Sequence, residues 1–291
     1  MPRYQIIEAP SVLGLWPSGV QDAPRVLLEM GLGTGLGLEK TTRLEAPHYD
    51  PRRDPKTKLL NPAGLLSFSQ LLAREVWNVI EDGATPIVLG GDCSILLGPA
   101  LALRQRGRHG LLFADGHMDY WDAALEPYGE AASMDLALVT GRGPALLSNI
   151  DGLGPYFEPA DCVAYGTRDH LYSSDFVETP YPAEIMRLDV QEAHALGAAG
   201  VDQALARLTH ERLQGFWIHF DVDVLDDKIM SAVDYRMENG LSFKELERLL
   251  GSAFATGKVK GMTLTIYNPN LDPQRLIARQ LVGTLLEILQ P

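Results

Sequence analysis

Three short apolar runs in this chain each break off into a group of acidic or metal-ligating residues, and that pattern constrains the fold more than any other feature. Residues 86–89 lead into Gly90-Gly91-Asp92-Cys93-Ser94. Residues 110–114 lead into Asp115-Gly116-His117-Met118-Asp119, and residues 216–220 into Asp221-Val222-Asp223-Val224-Leu225-Asp226. Apolar runs this short, without alternation, suit strands covered on both faces. Residues 4–8, 162–165, 184–188 and 262–266 are further candidates. Between them Leu65, Phe68, Leu72, Val76 and Val79 recur at helical spacing until Gly83 stops the helix. Ser242-Phe243-Lys244-Glu245 is a capping box, and Asp272-Pro273 suits the start of a last helix carrying Ile277, Leu281, Leu285 and Leu289. Strands alternating with helices predict an α/β fold with helices on both faces of a parallel sheet.

No stretch reads as a linker, so residues 1–291 are expected to form a single domain. A hydrophobic content of 46% against 22% charged residues is enough to bury a core. The formal charge of −13 repels phosphate backbones and anionic membranes, which argues against nucleic acid and membrane partners. The first residues lack a signal-peptide core, and no apolar run approaches the roughly 18 residues of a membrane span, so a cytoplasmic location is expected. Cys93 and Cys162 are too few for a disulfide framework. Residues 45–58, rich in Pro, Arg and Asp, read as a long surface loop of the kind that walls an active site.

Ligands of parallel sheets collect outside the carboxyl ends of the strands, where the acidic groups stand. Alternation along extended chain predicts that Asp115, His117 and Asp119 point one way, and that Asp221 aligns with Asp223. Four carboxylates converging in a half-buried crevice repel one another unless cations neutralise them, so divalent metal is the expected resolution.

With these residues in place, the chain resembles the arginase/agmatinase (ureohydrolase) family. The family signatures Gly-Gly-Asp-His-Ser, Asp-Ala-His-x-Asp and Ser-x-Asp-x-Asp-x-x-Asp-Pro stand here as Gly90-Gly91-Asp92-Cys93-Ser94, Asp115-Gly116-His117-Met118-Asp119 and His219-Phe220-Asp221-Val222-Asp223-Val224-Leu225-Asp226-Asp227. The resemblance implies a three-layer α/β/α arginase-like fold and two manganese ions that activate water against a guanidinium carbon. It also implies a homo-oligomer. Under it, Asp115 and Asp221 bridge both metals, Asp119 with the residue at Cys93 completes one site, His117 with Asp223 completes the other, and Asp226 supports the cluster.

Three departures shift the expected substrate. Cys93 replaces a histidine ligand: as thiolate it favours zinc or iron, and as a neutral thiol it leaves one metal position weak, so one or two ions are expected. In the loop 128–135, Ala132 stands where the family has a proton-shuttling histidine, and Glu130 is placed to repel a carboxylate and attract a cation. Ile266 takes the position of the family's guanidinium-binding glutamate, leaving Glu130, Asp135 or Asp169 to replace that anchor. His219 or His170 is placed to restore proton transfer. Asp119, His219 and Glu130 are thus the catalytic candidates, and Cys93, Asp115, His117, Asp119, Asp221 and Asp223 the metal candidates. The expected activity is hydrolysis of a linear C–N bond in a small cationic guanidine, amidine or related compound other than arginine. A catalytically silent metabolite- or metal-binding protein and a metal-dependent amidohydrolase or deacetylase are the alternatives.

Overall fold

All the apolar runs become strands of one sheet. A computed structural model describes residues 3–171 and 180–290. In chain order the strands are β1 (Tyr4–Ala9), β2 (Thr42–Arg43), β3 (Thr85–Gly90), β4 (Gly110–Ala114), β5 (Cys162–Tyr165), β6 (Met186–Leu188), β7 (Phe216–Asp221) and β8 (Val259–Thr265). They pair in the order β2-β1-β3-β8-β7-β4-β5-β6, and every pairing is parallel. The expected parallel α/β architecture is therefore present. The strand at 184–188 begins two residues later than the sequence reading, and the two-residue edge strand β2 was not anticipated.

Seven main helices cover the two faces: α1 (Ala23–Glu29), α2 (Pro62–Glu81), α3 (Leu97–Arg104), α4 (Asp135–Val139), α5 (Ala198–Leu208), α6 (Phe243–Ala255) and α7 (Leu276–Leu289). On one face Ile6, Ile87, Leu112, Ile218 and Met262 pack with apolar residues of α1, α5, α6 and α7. On the other, Ile7, Val88, Leu111, Phe113 and Trp217 pack with α2, α3 and α4. Two cores separated by one sheet make the three layers. The predicted helical stripe Leu65, Phe68, Leu72, Val76 and Val79 is buried along α2.

The caps differ in detail. Ser242 and Glu245 form the capping box of α6. The last helix starts at Leu276, later than Asp272-Pro273 suggested. Asp272 still caps it from outside, accepting from Leu276 N at 3.0 Å, Ala278 N at 2.9 Å and the Tyr267 hydroxyl at 2.9 Å.

The topology places the site. After β3 the chain crosses the sheet to β4, and β8 and β7 later fill the gap. The carboxyl ends of β3, β8, β7 and β4 thus lie side by side at the point where the winding reverses, the usual ligand crevice of such sheets.

Candidate metal centre

Register brings the two central carboxylates together. Ala114 pairs with Phe220, so Asp115 and Asp221, the next residues along, stand side by side, and Asp221 pairs in turn with Thr265. One repeat down the same face lies a second row, Phe113, His219 and Thr263, also in register. The His219 ring stacks on Phe113 at a centroid distance of 4.9 Å.

The remaining ligands arrive by turns rather than by the strand alternation expected from the sequence. β4 ends at Ala114, and Asp119 bends the chain with a φ of 45°. β7 ends at Asp221, and Val222–Val224 form a single 3-10 turn in which Asp221 Oδ1 accepts from Asp223 N at 2.7 Å. The strands supply Asp221 and the base of Asp115, while the tight turns after them aim His117, Asp119 and Asp223.

Close packing at β3 fixes Cys93. A Cβ on Gly91 would fall 1.8 Å from the Ser11 carbonyl oxygen, so this approach of two backbones requires glycine. Asp92 turns away from the crevice; it is fully buried and accepts from Ser94 N at 2.9 Å and Gly14 N at 3.2 Å. Cys93 Sγ then lies 2.8 Å from Asp221 Oδ2 and 3.2 Å from Thr265 Oγ1. Burial, followed by the surrounding carboxylates, pushes its thiol well up, and the protonated sulfur donates to Asp221.

Three overlapping groups of ligand atoms result, each with its members within 4.8 Å of one another: Cys93, Asp115, His219 and Asp221; Cys93, Asp119 and Asp135; and Asp115, His117 and Asp223. Every metal candidate from the sequence is in one of them. His117 Nδ1 lies 2.9 Å from Asp223 Oδ2. Burial would depress His117, but Asp223 and Asp115 outweigh it and hold the imidazole well above its ordinary range. Burial, then the neighbouring carboxylates, raises Asp119, Asp135 and Asp221, and lifts Asp115 to about 7. Asp223 alone of the five goes down, because His117 and Arg168 overcome its burial.

The donor set fits divalent metal. Asp115 Oδ2, both oxygens of Asp135 and His219 Nε2 are buried without a hydrogen-bond partner. Such groups are costly in an interior unless a cation takes the place of the missing donors. Oxygen-rich ligation with one imidazole and one sulfur suits a borderline divalent ion.

Above the floor opens a cleft of about 220 Å³. Leu15, Trp121, Pro127, Tyr128, Ala132, Tyr235 and Ile266 give it largely apolar walls, and among the described lining residues none is Lys or Arg. Glu130 stands on this wall, accepting from Trp16 N at 3.2 Å and the Tyr235 hydroxyl at 3.0 Å. Burial is the main reason its carboxyl is raised. The loop carrying it wraps around Glu126, which accepts from Tyr128 N at 2.9 Å, Glu130 N at 2.8 Å and also Gly129 N. Arg53, from the stretch 45–58, clamps the same loop through the carbonyls of Ala123 and Pro127 at 3.1 Å and Glu126 at 2.6 Å. That stretch therefore supports the wall without lining it.

Other candidates lie elsewhere. His219 is fully buried beneath the floor and does not line the cleft. His170 faces Asp169 and Asp189 outside it. Asp226 binds Lys228 N at 3.0 Å and Gly240 N at 3.1 Å, fastening the loop after β7 rather than touching the cluster. Asp135, considered from the sequence as a substrate anchor, is fully buried behind the floor and cannot reach a substrate in the cleft. Its place in the cluster was missed because a lone Asp before Leu136 reads as a helix cap.

A family model for the arginase family matches residues 3–289. The chain belongs to the arginase family. It is 26% identical to an arginase of Staphylococcus aureus over 302 residues, covering 96% of this chain and 95% of that one. The fold matches the arginase of Bacillus caldovelox with a TM-score of 0.88 at 24% identity, over 100% of this chain and 99% of that one. It also matches the formimidoylglutamase of Bacillus subtilis with a TM-score of 0.74 at 17% identity, over 100% and 87% of the two chains. Family membership makes the chain an arginase-family hydrolase, and the cluster gathers residues that could hold a metal ion.

Proposed function

We propose that the cleft hydrolyses a linear C–N bond in a small guanidine, amidine or related compound that lacks a free carboxylate. The observation that carries this reading is the pairing of a buried, partly unpartnered carboxylate cluster with a narrow wall that bears Glu130 and, among its described residues, no Lys or Arg. A carboxylate-bearing substrate such as arginine would meet Glu130, Glu126 and Asp169 with no cation to receive it. A planar cation would meet aromatic and acidic groups instead.

Manganese is the proposed metal, with zinc or iron as alternatives given the sulfur of Cys93. His117 and Asp223 would hold one ion and Asp119, beside Cys93, the other, with Asp115 and Asp221 contributing to both. Divalent ions there would acidify a water at the floor and neutralise charge that builds on the substrate. The protein's own contribution is positional. Ile266 and Trp121 exclude bulk water, and Tyr235 holds the Glu130 carboxylate by its hydroxyl. Glu130, held by two hydrogen bonds and raised by burial, is the wall group suited to carry a proton or to pair with the substrate cation.

Ala132 and Ile266, at positions where the family resemblance leads one to expect a histidine and a glutamate, favour the second reading of a silent binding protein. A panel of agmatine-like amines, small guanidines, amidines and acylated amines, assayed for urea, ammonia or carboxylate release with manganese present, separates the readings. Turnover of a carboxylate-free guanidine or amidine supports the proposal. Efficient urea release from L-arginine, at kcat/KM of about 10⁴ M⁻¹s⁻¹ or more, refutes it.

A further inference from the structure

Asp135 is the one carboxylate of the cluster that the family resemblance leaves without a task. It opens α4, is fully buried, and neither of its oxygens has a hydrogen-bond partner among the described residues. It stands within 4.8 Å of the ligand atoms of Cys93 and Asp119, on the side of the floor away from the cleft. Its other neighbour is His219, whose Nε2 lies 3.6 Å from Asp135 Oδ2 and 3.8 Å from Asp115 Oδ2.

The lower row of the sheet holds that histidine in place. Thr263 Oγ1 receives Trp217 Nε1–H at 3.4 Å and lies 2.9 Å from His219 Nδ1, its shortest contact. The Thr263 hydroxyl also donates to the Ile218 carbonyl at 3.4 Å, so His219 Nδ1 can give its proton to Thr263 or accept one from it. His219 Nε2 makes no hydrogen bond to either carboxylate, and both Asp135 oxygens stay without a partner among the described residues.

Cys93 Sγ lies 2.8 Å from Asp221 Oδ2, and its sulfur groups both with Asp119 and Asp135 and with Asp115, His219 and Asp221. We propose that Asp135 is a metal ligand at the position bordered by Cys93 and Asp119, supplying from beneath the floor the donor that a histidine at position 93 would give from above. Five carboxylates against two divalent ions leave one negative charge, which a cationic substrate offsets. The assignment rests on the reading of the cleft as a metal centre, and the experiment separates the two.

Metal-free wild type, Asp135→Asn, Cys93→Ser and Asp221→Asn proteins are titrated with Mn²⁺ alone. Bound metal is counted by mass spectrometry, and pairing of the ions is read by electron paramagnetic resonance. Wild type and Cys93→Ser are expected to hold two coupled ions. Asp135→Asn is expected to hold one uncoupled ion, with the second weakened by more than the roughly 10–100-fold that loss of an outer partner costs. Asp135→Asn keeps the shape of the side chain, so its metal-free melting temperature should not fall. Anomalous diffraction from loaded wild type, with an Asp135 oxygen bonded to metal, supports the assignment without any variant. An Asp135→Asn protein with the ion count and affinities of wild type overturns it, as does loss of an ion from Cys93→Ser alone. Failure of wild type to bind Mn²⁺ overturns the metal-centre reading as well.

Discussion

Acid should release the metal through the carboxylates of the floor, and the steepness of that release follows from their burial. In the metal-free protein Asp115 keeps its proton to about 7 instead of its ordinary 3.8, first because it is buried and then because Asp223 lies beside it. A cation must displace that proton, so below pH 7 each unit of acidity weakens binding about tenfold, or ~1.4 kcal/mol, for every proton released. Between pH 7 and pH 5 Asp115 alone, half protonated at the upper limit, accounts for about 50-fold, roughly 2 kcal/mol. Asp119, Asp135 and Asp221 are pushed the same way and steepen the dependence. The sign for folding of the metal-free protein is the opposite. A carboxyl raised in the folded state leaves the metal-free protein less stable as pH rises from 3.8 through about 7, and metal removes that loss. Buried His109 and His219, pushed down to about 4 and 3 by burial, oppose this trend in the metal-free protein. Calorimetric Mn²⁺ titrations from pH 5.5 to pH 8, in buffers of different ionisation enthalpy, give affinity and proton count together. Affinity that is flat over this range, or binding that releases no proton below pH 7, would refute the argument.

Three further outcomes test the framework around the site. Gly91→Ala places a Cβ 1.8 Å from a backbone oxygen of Ser11, so thermal unfolding should show a loss of about 3 kcal/mol and manganese occupancy should drop as Cys93 shifts. Asp272→Ala strips the first turn of α7 of its acceptor and strands the Tyr267 hydroxyl, costing about 2 kcal/mol in chemical denaturation while metal content stays unchanged. Ile266→Glu should lower KM for guanidines measurably without altering the metal count; an altered count would show that the wall and floor are not independent.

Much of the architecture could be read directly from residue order. β4 and β5 have the bounds expected from 110–114 and 162–165, because both are wholly apolar runs closed by a glycine or an acidic residue. β8 runs from Val259, earlier than expected, because Lys260 and Gly261 hide a strand start that neighbouring strands stabilise. β2 carries no apolar signal, since two edge residues bury little. The metal candidates were readable because each stands at or within a few residues of a strand end in sequence. Asp135 was not, since its burial comes from packing α4 against residues 93–96 and α3, a contact between segments far apart in the chain. His219 shows the reverse case: two residues before Asp221 in sequence, it lies one pleat repeat lower and is fully buried.

Ile266 has a left-handed backbone with φ of 70°, unusual for a β-branched residue, and its amide donates to the Gly91 carbonyl at 2.8 Å. That bond to the neighbouring strand end, rather than the side chain, holds the bend. The peptide geometry of this wall position is thus set by the scaffold, while its chemical character is left to whichever side chain occupies it. A lineage could exchange an acidic group for an aliphatic one here, and so change which molecules enter, while the carboxylates below kept their places. Selectivity and hydrolytic machinery would then evolve as separate parts of one crevice, with the bend at the end of β8 as the joint between them.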